Sequence, residues 1–525
     1  MTSESIFSSL RKSANMTQDQ FAETFGVSRQ AVQKWESGAS LPDIEKMKAI
    51  AKRFNITIDT IIYGKNREEH CTERDFIPDF SSLSEWESYQ ELLDIEYTQC
   101  LEEGRDILKY ADLMKAVSAM NPSKEKAALS NIIFSLTQQA PVSDEFLYNE
   151  PSSLEKIRLL CARDLSQIPS VADKTDLRRK IKGAWLGRIC GCLAGKCVEG
   201  FKTDELISML KRSGNYPMQR YVKSTDISPE EYERHGFKNR PNCFYDNINV
   251  APVDDDTNYT VLASELIKSK GRSFSPRDVA AFWIERQSRN SYCTAERIAF
   301  RNFINGYMPP DSASYKNPCR EWIGAQIRGD YFGYINPGDP QNASDMAWRD
   351  ASISHVKNGI YGEMFVAASI AGAAVYDDIK DVIRCGLSQI PSTSRLYARL
   401  NEILCAYENG MSVDERFTDI ANRYDNYKMH DWCHTISNAE IVVSSLLYGG
   451  GDYGKTVCLA VQQGFDTDCN GATAGSILGM LKGCDAIPDV WTKPIGGKLK
   501  TTIFGVDIVD IESIVELTLS HIENK

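Results

Sequence analysis

The chain has 525 residues, 42% hydrophobic and 25% charged, with a mean hydropathy of −0.36, the composition of a soluble globular chain with length for about two to four domains. A net charge of −12 excludes a chain that holds nucleic acid by overall charge. The longest apolar stretch, FVAASIAGAAVY, is shorter than the ~20 residues a membrane helix needs, so no membrane partner is expected. The charge is uneven: residues 1–66 carry nine Lys and Arg against seven Asp and Glu, which leaves a body at −14. The 15 cysteines are scattered and contain no CxxC pair, which argues against a zinc ribbon. Cys190, Cys192 and Cys197 read best as small, buried, reduced side chains. MTSESIFSSLRKS lacks the pattern of a secretory leader, and the expected location is cytoplasmic.

Residues 1–66 place Ile6, Leu10, Phe21, Phe25, Val32, Ile50 and Phe54 at helical spacing. Thr17 is the expected cap of TQDQFAETF, Gly26 its stop, and Ser28 the cap of RQAVQKWE. Ser28, Arg29, Gln30, Gln33 and Lys34 lie at the start and on one face of that second helix, as a major-groove reader requires. Gln18 opens the preceding helix, where a DNA phosphate would meet free N–H groups. The string MTQDQFAETFGVSRQAVQKWESGASLP, continued by KMKAIAKRFNITIDTIIYG, resembles the lambda-repressor-like (Cro/C1, XRE) helix-turn-helix family. The resemblance implies a five-helix domain bound to double-stranded DNA, with a homodimer as the form that meets paired half-sites.

Residues 67–172 read as a polar helical connector or dimerisation element, with a loop at Pro78, a break at Gly104 and a loop over 141–153. Residues 173–525 alternate amphipathic helices with Gly- and Asp-rich loops and show no strand alternation, so an all-α architecture is expected throughout.

Two acidic clusters carry the chemistry of that last zone: PVDDDTNYT at 252–260 and GFDTDCNGATAGSILG at 464–479. Adjacent carboxylates repel unless a cation neutralises them, and oxygen donors suit hard divalent ions. The small residues let helices approach and bring the clusters together. These strings, with KIKGAWLGRICGCLAGKCVEG and AWRDASISHVKNGIYGEMFVAA, resemble the ADP-ribosylglycohydrolase family from about residue 177 to about residue 485. The resemblance implies an all-helical hydrolase domain with two Mg2+ ions, Mn2+ being the alternative. Asp254, Asp255, Asp256, Asp466 and Asp468 would be the ligands. Glu199, Asp256 and Asp466 would handle protons. His355, Tyr331 and Asn438 would line the pocket for an ADP-ribosyl substrate or ADP-ribose, with RGDYFGYINPG offering N–H groups to its diphosphate. Three departures from the family pattern, at Cys192, Asp254 and Cys469, fall on the second ion's ligands. They set a second expectation beside the hydrolase: a transcription regulator whose body senses ADP-ribose or a related nucleotide without cleaving it.

Overall fold

The computed structural model describes residues 5–63, 79, 82–162, 168–169, 173–237 and 242–523; the Pro78 loop lies outside them. The chain divides into two units, residues 1–79 and 80–525.

The first unit has the five expected helices: α1 (Ile6–Ser13), α2 (Gln18–Thr24), α3 (Arg29–Glu36), α4 (Ile44–Phe54) and α5 (Ile58–Tyr63). Thr17 and Gln20 form a reciprocal capping box on α2. Ser28 Oγ accepts from Ala31 N at the start of α3. The turn between them needs Gly26 at φ +61, a left-handed conformation that costs glycine nothing. Phe7, Phe21, Val32, Trp35, Ile50 and Ile61 close the core beneath α2 and α3.

The second unit is helical around one large core, with a smaller apolar cluster of Tyr89, Leu93, Ile107, Met114, Val117 and Ile133 in its first part. Residues 82–162 belong to it and begin with α6 (Leu93–Glu102). They are held to the rest by buried charge. Arg320 pairs with Glu96 at 2.8 Å and Glu103 at 2.6 Å, and Arg395 pairs with Glu150 at 3.0 Å and Glu321 at 2.6 Å. Gln99 Nε2 donates to Glu321 at 2.6 Å. Trp348 and Tyr361 donate to the carbonyls of Ser152 and Pro151.

At the centre, α7 (Lys174–Lys196) crosses a later antiparallel helix, Thr467–Lys482. Gly183, Gly187 and Gly191 face Gly479, Gly475 and Gly471 in turn, and Gly195 faces Thr467. A Cβ on any of these glycines would overlap the facing backbone. Glycine every fourth residue therefore brings two backbones into contact. The C-terminal end of α7 meets the N-terminal end of the second helix, pinned where Thr467 Oγ1 donates to Gly195 O at 2.9 Å.

One element departs from the expected pattern. The last zone contains an antiparallel hairpin, β1 (Lys498–Ile503) and β2 (Val506–Asp510), closed by Phe504-Gly505. Its alternation is too short to stand out among helices, yet it supports the site. Ala251 N donates to Lys498 O and Lys500 N to Ala251 O, both at 3.0 Å, fixing the chain three residues before Asp254. Among the described residues no helix is long and apolar enough to cross a membrane.

Gly191→Ala would drive a methyl group into the Gly471 carbonyl. We expect it to cost about 3 kcal/mol, measured as a lowered denaturation midpoint. An unchanged midpoint would show that backbone contact is not what joins these helices.

Candidate functional site

Both acidic clusters open helices, where the helix dipole favours negative charge. Asp254 caps α8 (Asp255–Lys270), its Oδ1 accepting from Asp256 N at 3.0 Å. Asp466 caps α10 (Thr467–Lys482). The glycine contact sets α10 beside the end of α7, and Arg188 of α7 ties α8 to the same place. It donates to Asp256 O at 2.8 Å and pairs with Asp256 Oδ1 at 3.1 Å and Asp330 at 3.0 Å, all fully buried. Two sets of donor atoms result, each within 4.8 Å of one another: Cys192, Asp254 and Asp256, and Asp256, Asp468 and Cys469. Asp256 is common to both.

The two sets differ in how their oxygens are occupied. Lys196 Nζ bonds Asp254 Oδ2. Asp256 Oδ2 and Asp468 Oδ1 are buried with no hydrogen-bond partner, an unfavourable state for a carboxylate unless a cation completes it. Burial pushes Asp255, Asp256 and Asp468 well above the usual carboxylate range, and the neighbouring carboxylates add to it. Burial also raises Asp466, to about 7, with Glu199 adding and Cys469 opposing. Asp254 stays low because Lys196 outweighs its burial.

Glu199 follows α7, and its charge reaches Asp255, Asp466 and Asp468. Glu199 and Asp255 are half-buried, unlike the other acids. Asn438 stands behind the second cluster. Its Oδ1 accepts from Asp466 N at 3.3 Å and Asn470 Nδ2 at 2.8 Å, while its Nδ2 donates to the carbonyls of Trp432 and His434. It supports the loop rather than lining a pocket.

Two expected pocket residues lie elsewhere. Tyr331 is fully buried against Trp185 and Tyr334, with its hydroxyl 2.7 Å from His521 Nδ1, so its ring has no face for a ligand. RGDYFGYINPG is largely buried: Asp330–Tyr334 form a short helix that follows a 3-10 turn at Gln326–Arg328, and 335–338 are turn and bend. His355 lines a separate, mostly apolar cavity of about 420 Å³ with Trp348 and Pro310, its Nδ1 2.9 Å from Ser354 Oγ. Burial and Arg328 push its imidazole well down.

Arg188 and Lys196 were not anticipated. Their signal is spacing: Arg188, Cys192 and Lys196 stand four apart on α7, so one helical face carries a cation, a thiol and a cation.

Another donor group, Glu102, His430 and His434, lies at the contact of α6 with the body. Both Nε2 atoms are 3.3 Å from Glu102 Oε2. His430 Nδ1 accepts from Trp322 Nε1 and His434 Nδ1 from Ile436 N. In neutral rings those acceptors put the proton on Nε2, facing the carboxylate. The two imidazoles face the carboxylate, although neither Nε2 makes a hydrogen bond of good geometry to it.

On the first unit, Ser28, Arg29, Gln30, Gln33 and Lys34 are all exposed on one side of α3, opposite the buried Val32 and Trp35. Gln18 is half-buried, and its amide donates to Glu36 at 2.6 Å, beside the Arg11–Glu36 pair at 2.5 Å. Its side chain is committed inside the domain.

A helix-turn-helix unit followed by a helical body with a buried carboxylate and thiol cluster defines a two-part protein, with a DNA-reading fold ahead of an enzyme-like one. The sequence comparisons agree. The ADP-ribosylglycohydrolase family matches residues 173–519, and the chain belongs to that family; a helix-turn-helix family matches residues 8–61. Over 56 residues the chain is 48% identical to the HTH-type transcriptional activator BcrR of Enterococcus faecalis, covering 11% of this chain and 28% of that protein. A solved ADP-ribosylglycohydrolase-related protein complex aligns with 66% of this chain and 99% of its own, at 17% identity and a TM-score of 0.41.

Burial lowers His434 from 6.5 to about 4. The unfolded chain therefore binds the proton more readily between those values. The stability is present above pH 6.5 and is lost as pH falls toward 4. Burial would raise Glu102, but His434, His430 and Arg395 hold it at about 2. We expect the melting midpoint to fall through pH 6.5 to 4, and His434→Asn, which keeps a capping acceptor, to flatten the fall. Parallel profiles would remove His434 as the acid-sensitive group.

Proposed function

We propose that this protein is a DNA-bound, divalent-cation-dependent hydrolase that cleaves the glycosidic bond of an ADP-ribosylated substrate in transcription control. One observation carries the reading. Asp256 and Asp468, from clusters far apart in the chain, bring a carboxylate oxygen each to within 4.8 Å of one another and of the Cys469 sulfur, and each acid keeps one buried oxygen with no hydrogen-bond partner. With Asp466 beside them these oxygens fit a divalent cation, which would supply Lewis-acid polarisation and hydroxyl orientation at a ribose. The half-buried Asp255 and Glu199 lie on the accessible side. Their negative charge favours an anomeric carbon that becomes positive as the glycosidic bond breaks, and the Glu199 carboxylate accepts the proton of the attacking water. Arg188 is enclosed and takes no part beyond holding Asp256. The exposed polar face of α3 supports the DNA assignment, as does the likeness of the first unit to a transcriptional activator.

The Lys196 bond to Asp254 and the thiols of Cys192 and Cys469 favour a second reading, a sensor that binds ADP-ribose without turnover. The full chain incubated with ADP-ribosylated protein and ADP-ribosyl small molecules, with Mg2+, Mn2+, Zn2+ or Co2+ in turn, distinguishes the two. We expect free ADP-ribose to be released, and the release to be abolished in Asp256→Asn and Asp468→Asn with DNA binding unchanged. Tight binding of ADP-ribose with no release from any linkage would establish the sensor instead.

Arg29→Ala with Gln30→Ala is expected to lose about 1–3 kcal/mol of discrimination per base contact and to keep hydrolysis. Unchanged operator preference in a mobility-shift titration would move the recognition surface off α3.

A further inference from the structure

The two donor sets are alike in composition but not in readiness. In the first, Asp254 Oδ2 is held by Lys196, Asp254 Oδ1 accepts the Asp256 amide, and Asp256 Oδ1 faces Arg188. Two fixed side-chain cations thus already balance its charge. In the second, Asp256 Oδ2 and Asp468 Oδ1 are both buried and unpartnered, and the Cys469 thiol lies within 4.8 Å of both acids. Asp256 is 0% exposed, Asp468 3% and Cys469 5%, so solvent does not satisfy them.

We propose that the body holds a single divalent cation of the thiophilic class, Zn2+, Fe2+ or Co2+, on Asp256, Asp468 and Cys469, and that Lys196 is a built-in cation standing where a second ion would otherwise be needed. The inference rests on the metal-dependent reading above and sharpens it. A donor set of two carboxylates and a sulfur suits borderline ions, whereas Mg2+ demands oxygen and sheds water reluctantly. On binding, the Cys469 S–H bond breaks, its proton leaves to solvent, and the sulfur electron pair forms the bond to the ion. The Lys196 ammonium on Asp254 repels a further dication at the first set, while Arg188 engages Asp256 Oδ1 and leaves its Oδ2 without a partner.

The test uses the full chain, stripped with chelator, kept reduced, and titrated with Co2+ by calorimetry and absorption. We expect one equivalent to bind with a thiolate-to-cobalt charge-transfer band. The band should be lost in Cys469→Ser and kept in Cys192→Ser, and an excess of Mg2+ should fail to remove it. Should Cys469→Ser lose its helical circular dichroism, X-ray absorption of the zinc-loaded natural chain decides, through a sulfur shell at ~2.3 Å. Two equivalents, binding without the band or sulfur shell, or a band that depends on Cys192 would overturn the inference. In those cases metal-dependent ADP-ribose release would leave the hydrolase reading standing. Failure to bind any divalent cation would remove both.

Discussion

The contact between α7 and α10 is the constraint on which the body depends. Helices normally pack with side chains between them and axes 8–10 Å apart. Here a glycine ladder on each helix removes those side chains along the whole crossing. The consequence is more than packing density. A four-residue repeat on both partners fixes register, so the last turn of α7 can sit only beside the first turn of α10. Lys196 and Glu199 therefore meet Asp466 and Asp468 as a result of backbone geometry. Side chains that a ligand must reach are placed by residues with no side chain.

That placement creates an electrostatic problem. Glu199, the three aspartates at the start of α8 (Asp254, Asp255, Asp256) and the two at the start of α10 (Asp466, Asp468) converge at one end of the crossing. Helix N-termini offset part of their repulsion, and Arg188 and Lys196 offset more. The remainder is concentrated at the partnerless oxygens of Asp256 and Asp468. Each leaves a buried polar atom unpaired, at a cost that a bound cation would remove. The asymmetry between satisfied and unsatisfied acids locates the chemistry more closely than the acids themselves do.

The periodic features were legible in the sequence. Helix caps at Thr17 and Ser28, the polar face of α3 and the small residues of α7 and α10 all act through local spacing, and local spacing survives in a string of letters. Convergence of Asp254–Asp256 with Asp466 and Asp468 followed from glycine spacing and family resemblance together. What stayed hidden depended on contacts between distant segments. Tyr331 looks like a ligand-stacking aromatic until His521, near the end of the chain, takes its hydroxyl. Asn438 looks like a pocket residue until its amide is seen bonding backbone on both sides. Gln18 is drawn inward by Glu36 in a different helix. Lys196 was legible in principle, four residues beyond Cys192 on the same face, but its meaning came only with Asp254 beside it.

Residues 82–162 gain a specific role from the same reasoning. They follow the DNA-reading unit in sequence, and α6 inserts Glu102 between His430 and His434. His434 is also the N-cap of α9 (Thr435–Tyr448), and its carbonyl accepts from Asn438, whose Oδ1 receives the Asp466 amide. A continuous line of buried polar contacts thus joins α6 to the first residue of the second acidic cluster. Transmission along such a line requires two arrangements of comparable energy. The neutral His434 ring has one tautomer compatible with its donor, and Glu102 is ionised, so the line has a single arrangement. It acts as a brace that holds the Asp466 loop in place.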